Sequence, residues 1–139
     1  MFADVDGMKW INDTLGHEEG DMALVAAATV LKATFRDSDI VARTGGDEFA
    51  VFMPDCPVEK AEAPIGRLMK SIVAHNEMRS SALGDGCWQL ALSTGAATYD
   101  SRHESSLAEL LSRADEDMYR QKMAKKKSVA GKGTVERST

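Results

Sequence analysis

The run Gly45-Gly46-Asp47-Glu48-Phe49 constrains this chain more than any other part of it. Adjacent glycines let a chain reverse direction through positive φ angles and leave the turn free of side chains. The stretches on either side, from Ser38 to Arg43 and from Phe49 to Met53, are short and carry residues that suit strands. Together they predict a hairpin with two carboxylates beside an open tip. An acidic surface turn with no further purpose has the same pattern, so the run does not stand alone as a functional signal.

A second acidic element lies near the start of the chain. Phe2-Ala3-Asp4-Val5-Asp6 reads as the end of an alternating strand, and Gly7-Met8-Lys9 follows as the opening of a helix. On a strand, Asp4 and Asp6 point to one face. A sheet that brought Asp4 beside Asp47 and Glu48 would crowd like charges. At about 4 Å and an effective dielectric of about 20, each pair repels by about 4 kcal/mol. A divalent cation relieves such crowding, and magnesium favours one or two carboxylates completed by phosphate oxygens. A solvated acidic patch without an ion is the alternative reading.

The remaining elements alternate. A helix is expected from about Gly20 to Phe35, apolar nearly all round and therefore buried. Pro57, Glu59 and Glu62 suit the first turn of another helix, whose stripe is Ile65, Leu68, Met69 and Ile72. Arg79 to Gly86 reads as a loop, Trp88 to Thr98 as a long strand, and Ser106 to Ala124 as a final helix before a lysine-rich tail. Strands interleaved with helices give an α/β fold.

Composition sets limits. The 139 residues suffice for one domain with one core, and 43% hydrophobic with 28% charged residues is ordinary for a globular chain. Cys56 and Cys87 have no metal-like spacing and read as reduced thiols, and no secretory or membrane-spanning segment is legible. The expected location is the cytoplasm, with no membrane contact. A net charge of −5 argues against nucleic-acid binding but not against a nucleotide held with a metal.

Arg43-Thr44-Gly45-Gly46-Asp47-Glu48-Phe49 resembles the signature of GGDEF domains, the diguanylate cyclases of bacterial signalling. The run from Asp4 through Lys9, Asn12 and Gly16 to Asp21 is similar to the family's first-site motif. Ala91 to Ala96 and Ala114 to Lys122 are similar to its fourth strand and last helix. The resemblance extends from Asp4 to about Ser128 in family order. It implies a nucleotidyl-cyclase-like, ferredoxin-related sheet with helices around it, residues 1–128 as the domain and 129–139 as a C-terminal strand or tail. Relatives usually begin with a further helix. The resemblance therefore implies a truncated domain, expected to follow an N-terminal sensory region.

The roles implied by the resemblance are these. Asp4, Asp47 and the carbonyl of Val5 would hold magnesium, with manganese as a possible substitute. Asp47 or Glu48 would accept the proton of an attacking 3′-hydroxyl, a division the residues leave open. Gly7 and Met8 would offer backbone amides to phosphates where a helix begins, and Gly45 and Gly46 would admit substrate at the turn. Lys9 would offset charge developing in transfer, and Lys122 and Lys126 would contact phosphates. Asn12 and Asp21 would read the guanine edge. Asn12 and Asp13 also suit a local turn, and Asp21 a first-turn acid. Lys125-Lys126-Lys127 reads most simply as a solvated helix end.

The reaction implied is condensation of two GTP into cyclic di-GMP and pyrophosphate, across a homodimer that holds one substrate in each subunit. Arg36-Asp37-Ser38-Asp39 resembles the family's inhibitory site for product, with Arg67 as a second arginine. The other class of function is a non-catalytic module that senses GTP or cyclic di-GMP.

Overall fold

The computed structural model describes residues 1–60, 62–84, 86–103 and 105–132, and the side chains of all of these except 58 and 127–132. In chain order the elements are β1 (Phe2–Val5), α1 (Met8–Leu15), α2 (His17–Thr34), β2 (Ile40–Gly45), β3 (Glu48–Phe52), a 3-10 turn (Val58–Lys60), α3 (Glu62–Leu83), β4 (Leu92–Gly95) and α4 (Leu107–Lys132). The four strands form one sheet in the order β2-β3-β1-β4. Every neighbouring pair is antiparallel. This is the ferredoxin-like β-α-β-β-α-β arrangement, the α/β fold expected from the sequence.

The strand registers assign the two faces. Asp4 pairs with Glu48 on one side and with Ser93 on the other, and Phe2 pairs with Ala50 and Gly95. Residues directly opposite share a face. The alternate residues Ala3, Val5, Phe49, Val51 and Leu92 are buried with Leu31, Leu68 and Ile72 of α2 and α3. The other face meets α4, which packs on β4 and β1. A Cβ added at Gly95 would stand 2.1 Å from both the Ala114 carbonyl oxygen and the Met118 nitrogen. The α4 backbone thus rides directly on β4, and that approach requires glycine.

Several boundaries differ from the sequence reading, each for a physical reason. The helix expected from about Gly20 begins at His17, directly after Gly16 at φ 96° ends α1; Asn12 and Asp13 lie inside α1, not in a turn before a helix. The α2 helix is buried on one side only: Gly20, Ala23, Ala27 and Leu31 face inward, while Val25 is 65% exposed. A single sheet layer covers only one face of a helix.

The α3 helix runs through the segment read as a loop and ends at Leu83, before Gly84 at φ 86°. Arg79 is held there by the Trp88 ring, 3.7 Å from its centroid, and by Glu19 at 3.4 Å. Glu19 also accepts the Trp88 indole N–H at 2.6 Å, tying α2 and α3 to the segment before β4.

The long strand expected from Trp88 to Thr98 is only Leu92–Gly95. Side chains take the backbone groups that a longer ladder needs. Asn76 donates to the Leu90 carbonyl and accepts the Leu90 N–H, both at 2.8 Å. Beyond Gly95, the Ala96 N–H goes to an Asp117 carboxylate oxygen at 3.0 Å.

The α4 helix opens with a reciprocal cap: Ser106 N–H donates to Glu109 at 2.7 Å, and Glu109 N–H donates to the Ser106 hydroxyl at 3.2 Å. It continues to Lys132, past the Ala124 limit expected from the sequence. Of the expected C-terminal strand or tail, residues 129–132 are helical and 133–139 lie outside the described residues. Among the described residues, no helix is long and apolar enough to cross a membrane.

Candidate active site

The acidic elements meet at one end of the sheet. The Val5 N–H donates to the Asp47 carbonyl at 3.0 Å, continuing the β1–β3 pairing into the hairpin turn. Gly46 supplies the positive φ of that turn, 42°, and a β-bulge lies between Arg43 and Gly45. Gly45 itself remains in β2, so the open tip is Gly46-Asp47. Arg43 closes the turn from outside, donating from Nε and Nη2 to the Gly46 carbonyl at 2.9 and 2.7 Å.

Asp4 is buried, at 7% exposure, between Glu48 and Ser93. Burial raises its pKa; the hydrogen bond from Lys122 opposes this, the negative charge of Asp47 adds to it, and the charges of Lys122 and Asp6 act in opposite directions. The net direction is upward. Lys122, on α4, donates from Nζ to Asp4 Oδ1 at 2.5 Å and stands 4.0 Å from Asp6 Oδ1. Burial disfavours its ammonium, but the bond and charge of Asp4, with Asp6 and Asp47 behind them, outweigh that and raise its pKa.

Three members of this cluster, Asp6, Ser93 and Lys125, receive no site role from the sequence. Asp6 accepts the Ser93 hydroxyl at 2.7 Å. Lys125 donates to the Leu92 carbonyl at 2.9 Å and lies 3.5 Å from Asp6 Oδ2. The solvated-end reading therefore fails for Lys125, which has these partners although it is itself partly exposed to solvent. Helical spacing was the available signal, since Lys125 follows Lys122 by one turn and shares its face.

Gly7 has φ 76° and leads directly into α1, so the Gly7 and Met8 backbone sits at a helix N-terminus. Met8 is buried, and Lys9 is exposed on the same helix. Asn12 packs so closely on Gly20 that a Cβ there would lie 1.9 Å from its Oδ1. This contact sets Asn12 against the first turn of α2, at the residue that precedes Asp21 in the chain. Asp21 lines a groove of about 370 Å³ with Leu24, Lys32, Arg43 and Phe49, between α2 and the hairpin.

A separate pocket gathers Arg36, Asp39 and Arg67 with Lys60 and Asp55. Arg36 and Asp39 are fixed to each other: the Arg36 N–H donates to Asp39 Oδ2 and the Asp39 N–H to the Arg36 carbonyl, both at 2.9 Å.

Comparison with known proteins follows this geometry. The family model "Diguanylate cyclase, GGDEF domain" matches residues 1–128. The chain is 32% identical over 135 residues to the probable diguanylate cyclase DgcE of Escherichia coli, covering 97% of this chain and 11% of that protein. It is 37% identical over 119 residues to diguanylate cyclase TpbB of Pseudomonas aeruginosa, covering 86% and 26%. The chain spans from 11% to 33% of the length of its first curated relatives. The solved GGDEF domain of TpbB (YfiN) aligns with a TM-score of 0.74 at 38% identity, covering 88% of this chain and 69% of that one. The chain belongs to the GGDEF domain family of diguanylate cyclases.

Proposed function

We propose that this chain condenses two GTP molecules into cyclic di-GMP and pyrophosphate, in the cytoplasm, with each subunit of a homodimer presenting one substrate. The observation that carries this reading is the convergence of Asp4, the Gly46-Asp47 turn, Glu48 and Lys122 at the end of β1, next to the start of α1.

The donor set suits a hard divalent cation. Asp4 and Asp47 offer carboxylate oxygens close enough for the charge of one to perturb the other. Among the described residues no three His, Cys, Asp or Glu side chains gather as a metal cage. Magnesium does not need one, since phosphate oxygens and water complete its shell. Asp4, Asp47 and the Val5 carbonyl would hold it, and manganese has compatible chemistry. The bound ion would neutralise charge on the triphosphate oxygens.

The chain's own residues do the rest. The Gly7 and Met8 amides, at the start of α1, bind the terminal phosphates. Asn12 and Asp21 orient the guanine, an amide and a carboxylate matching its acceptor and donor edges. The 3′-oxygen of one GTP attacks the α-phosphorus of the other; the new O–P bond forms as the bond to the pyrophosphate oxygen breaks. The hydroxyl proton passes to Asp47 or Glu48, and pyrophosphate leaves with the bonding electron pair; the same step with the two nucleotides' roles exchanged closes the ring and releases a second pyrophosphate. Lys9, Lys122 and Lys126 offset negative charge on the phosphates during transfer. Such catalysis rests on positioning and charge neutralisation. Cyclic di-GMP then inhibits by binding at Arg36, Asp39 and Arg67.

The test is incubation of the purified chain with GTP and magnesium, followed by chromatography for cyclic di-GMP and pyrophosphate. Both products are expected, with specific activity falling on dilution as the dimer dissociates. Binding of GTP and cyclic di-GMP without turnover would replace the enzyme by a sensing module. Specific activity unchanged on dilution would sink the half-site scheme.

A further inference from the structure

The protein itself supplies cations to the two carboxylates at the end of β1, while Asp47 and Glu48 stand nearby. Two carboxylates, Asp4 and Asp6, face two ammonium groups, those of Lys122 and Lys125. The two lysines differ in how they are held. Lys125 is anchored to the Leu92 backbone carbonyl at 2.9 Å and lies near the Ser93 hydroxyl at 3.5 Å. Among the described residues, Lys122 meets side-chain charges: Asp4 Oδ1 at 2.5 Å and Asp6 Oδ1 at 4.0 Å. Its ammonium therefore occupies one of the two Asp4 oxygens open to a metal and places a positive charge beside the other. Asp4 is buried, so little solvent screens a second cation brought to the same place.

A dication arriving alone would meet an uncompensated ammonium. A dication arriving with a triphosphate would not, because the phosphate oxygens give that ammonium a new partner. We propose that Lys122 is a displaceable stand-in for the divalent cation. It neutralises Asp4 while the site is without nucleotide and transfers to phosphate when metal and triphosphate enter together. Lys125 stays on Asp6 throughout. The consequence is positive coupling: the metal alone binds weakly, and the triphosphate recruits it. The inference deepens the cyclase reading by assigning Lys122 two successive partners, but Lys122 holding Asp4 does not depend on turnover.

The experiment is manganese(II) binding to the nucleotide-free protein, read as loss of the free-ion electron paramagnetic resonance signal. Wild type should bind weakly, and Lys122→Gln more tightly by about tenfold, within the usual range of coupling between two ligands. Lys122→Arg, which keeps the charge, should remain weak. Asp4→Asn added to Lys122→Gln should remove the gain. Equal manganese affinity in wild type and Lys122→Gln overturns the proposal, as does tight binding by Lys122→Arg.

A second measurement needs no variant. The Lys122 ammonium resonance in nitrogen-15 spectra of the wild type should stay in place with magnesium alone and move with magnesium plus inorganic tripolyphosphate. Movement with magnesium alone contradicts the inference. Absence of cyclic di-GMP formation with the manganese pattern intact would overturn the function and leave this inference standing.

Discussion

The N–H of Val5 and the carbonyl of Asp47 are joined at 3.0 Å, which makes the end of β1 and the tip of the hairpin one rigid piece. Asp4 and Asp47 therefore hold a fixed relation to each other although more than forty residues separate them in the chain. A hydrogen-bonded ladder maintains spacing far better than two independent loops do.

Arg43 sets the other side of the same turn through its two bonds to the Gly46 carbonyl. Arg43→Ala should lower kcat by about tenfold, with KM for GTP nearly unchanged, because misplacement of a reacting group acts on the chemical step. Exposed hydrogen bonds of this kind contribute about 1 kcal/mol or less to stability, so urea unfolding should shift little. Steady-state kinetics beside a urea titration checks both. A loss confined to KM would mean that Arg43 binds substrate and does not shape the turn.

The raised pKa of Asp4 has a definite sign in stability. Its folded value lies above the ordinary 3.8, chiefly through burial, so the native state holds that proton more tightly than the unfolded chain does. The resulting stabilisation is complete below the unfolded value and is lost as pH rises through the folded one. Ionised Asp4 is thus a net burden at neutral pH even beside Lys122. Asp4→Asn should raise the metal-free melting temperature at pH 7, and the difference should disappear below a pH of about 4. Calorimetry across that range is the check, and a lower melting point at pH 7 would count against it.

Gly95 tests the approach of α4 to the sheet. A methyl group there meets backbone atoms of Ala114 and Met118 at 2.1 Å, and backbone cannot swing aside. Gly95→Ala should cost about 3 kcal/mol or displace α4, weakening the Lys122 contact with Asp4 at the same time. Denaturant unfolding measures the first effect. The manganese titration of the nucleotide-free variant reads the second.

Asn76 substitutes for a strand partner at Leu90, satisfying both its N–H and its carbonyl. Asn76→Ala leaves two partly buried backbone groups unpaired and should cost about 2 to 3 kcal/mol. Amide exchange of Leu90 should speed up locally as well. Unchanged protection at Leu90 would show that another group holds this segment.

Arg36 bears on regulation. If cyclic di-GMP binds where Arg36, Asp39 and Arg67 line one pocket, Arg36→Ala should abolish product inhibition while leaving initial rates intact. Progress curves with added cyclic di-GMP decide it. Inhibition as strong as in wild type would move the product site elsewhere.

How much of this was legible beforehand depended on the range of the interactions. The hairpin, the Gly7 turn into α1 and the Ser106 start of α4 rest on local chemistry: glycine at positive φ, and a serine and a glutamate three residues apart. The boundaries that went wrong are those set from a distance. Trp88 to Ala91 have strand-like residues, yet Asn76 and Arg79 of α3 take the backbone groups of Leu90 and Trp88. Arg79 to Leu83 have loop-like residues, yet Glu19 and the Trp88 ring hold Arg79 on a continuing helix. Val25 lies on a helix that is apolar nearly all round, and only the count of layers leaves it in solvent.

By itself, the sequence determined the residues proposed for the candidate site: the carboxylates of Asp4, Asp47 and Glu48, the glycines at the turns, and Asn12 with Asp21. These are carried by short motifs whose residue types and spacing are local properties of the chain. Tertiary structure alone decided which cations answer those carboxylates. Lys122 reaches Asp4 across 118 residues because Gly95 lets α4 lie directly on β4. Lys125, itself half exposed, reaches Asp6 because it stands one turn after Lys122 on the same face of α4. Lysines four residues apart or fewer look alike in sequence; only the surface against which the helix packs decides which carboxylate Lys122 and Lys125 each meet.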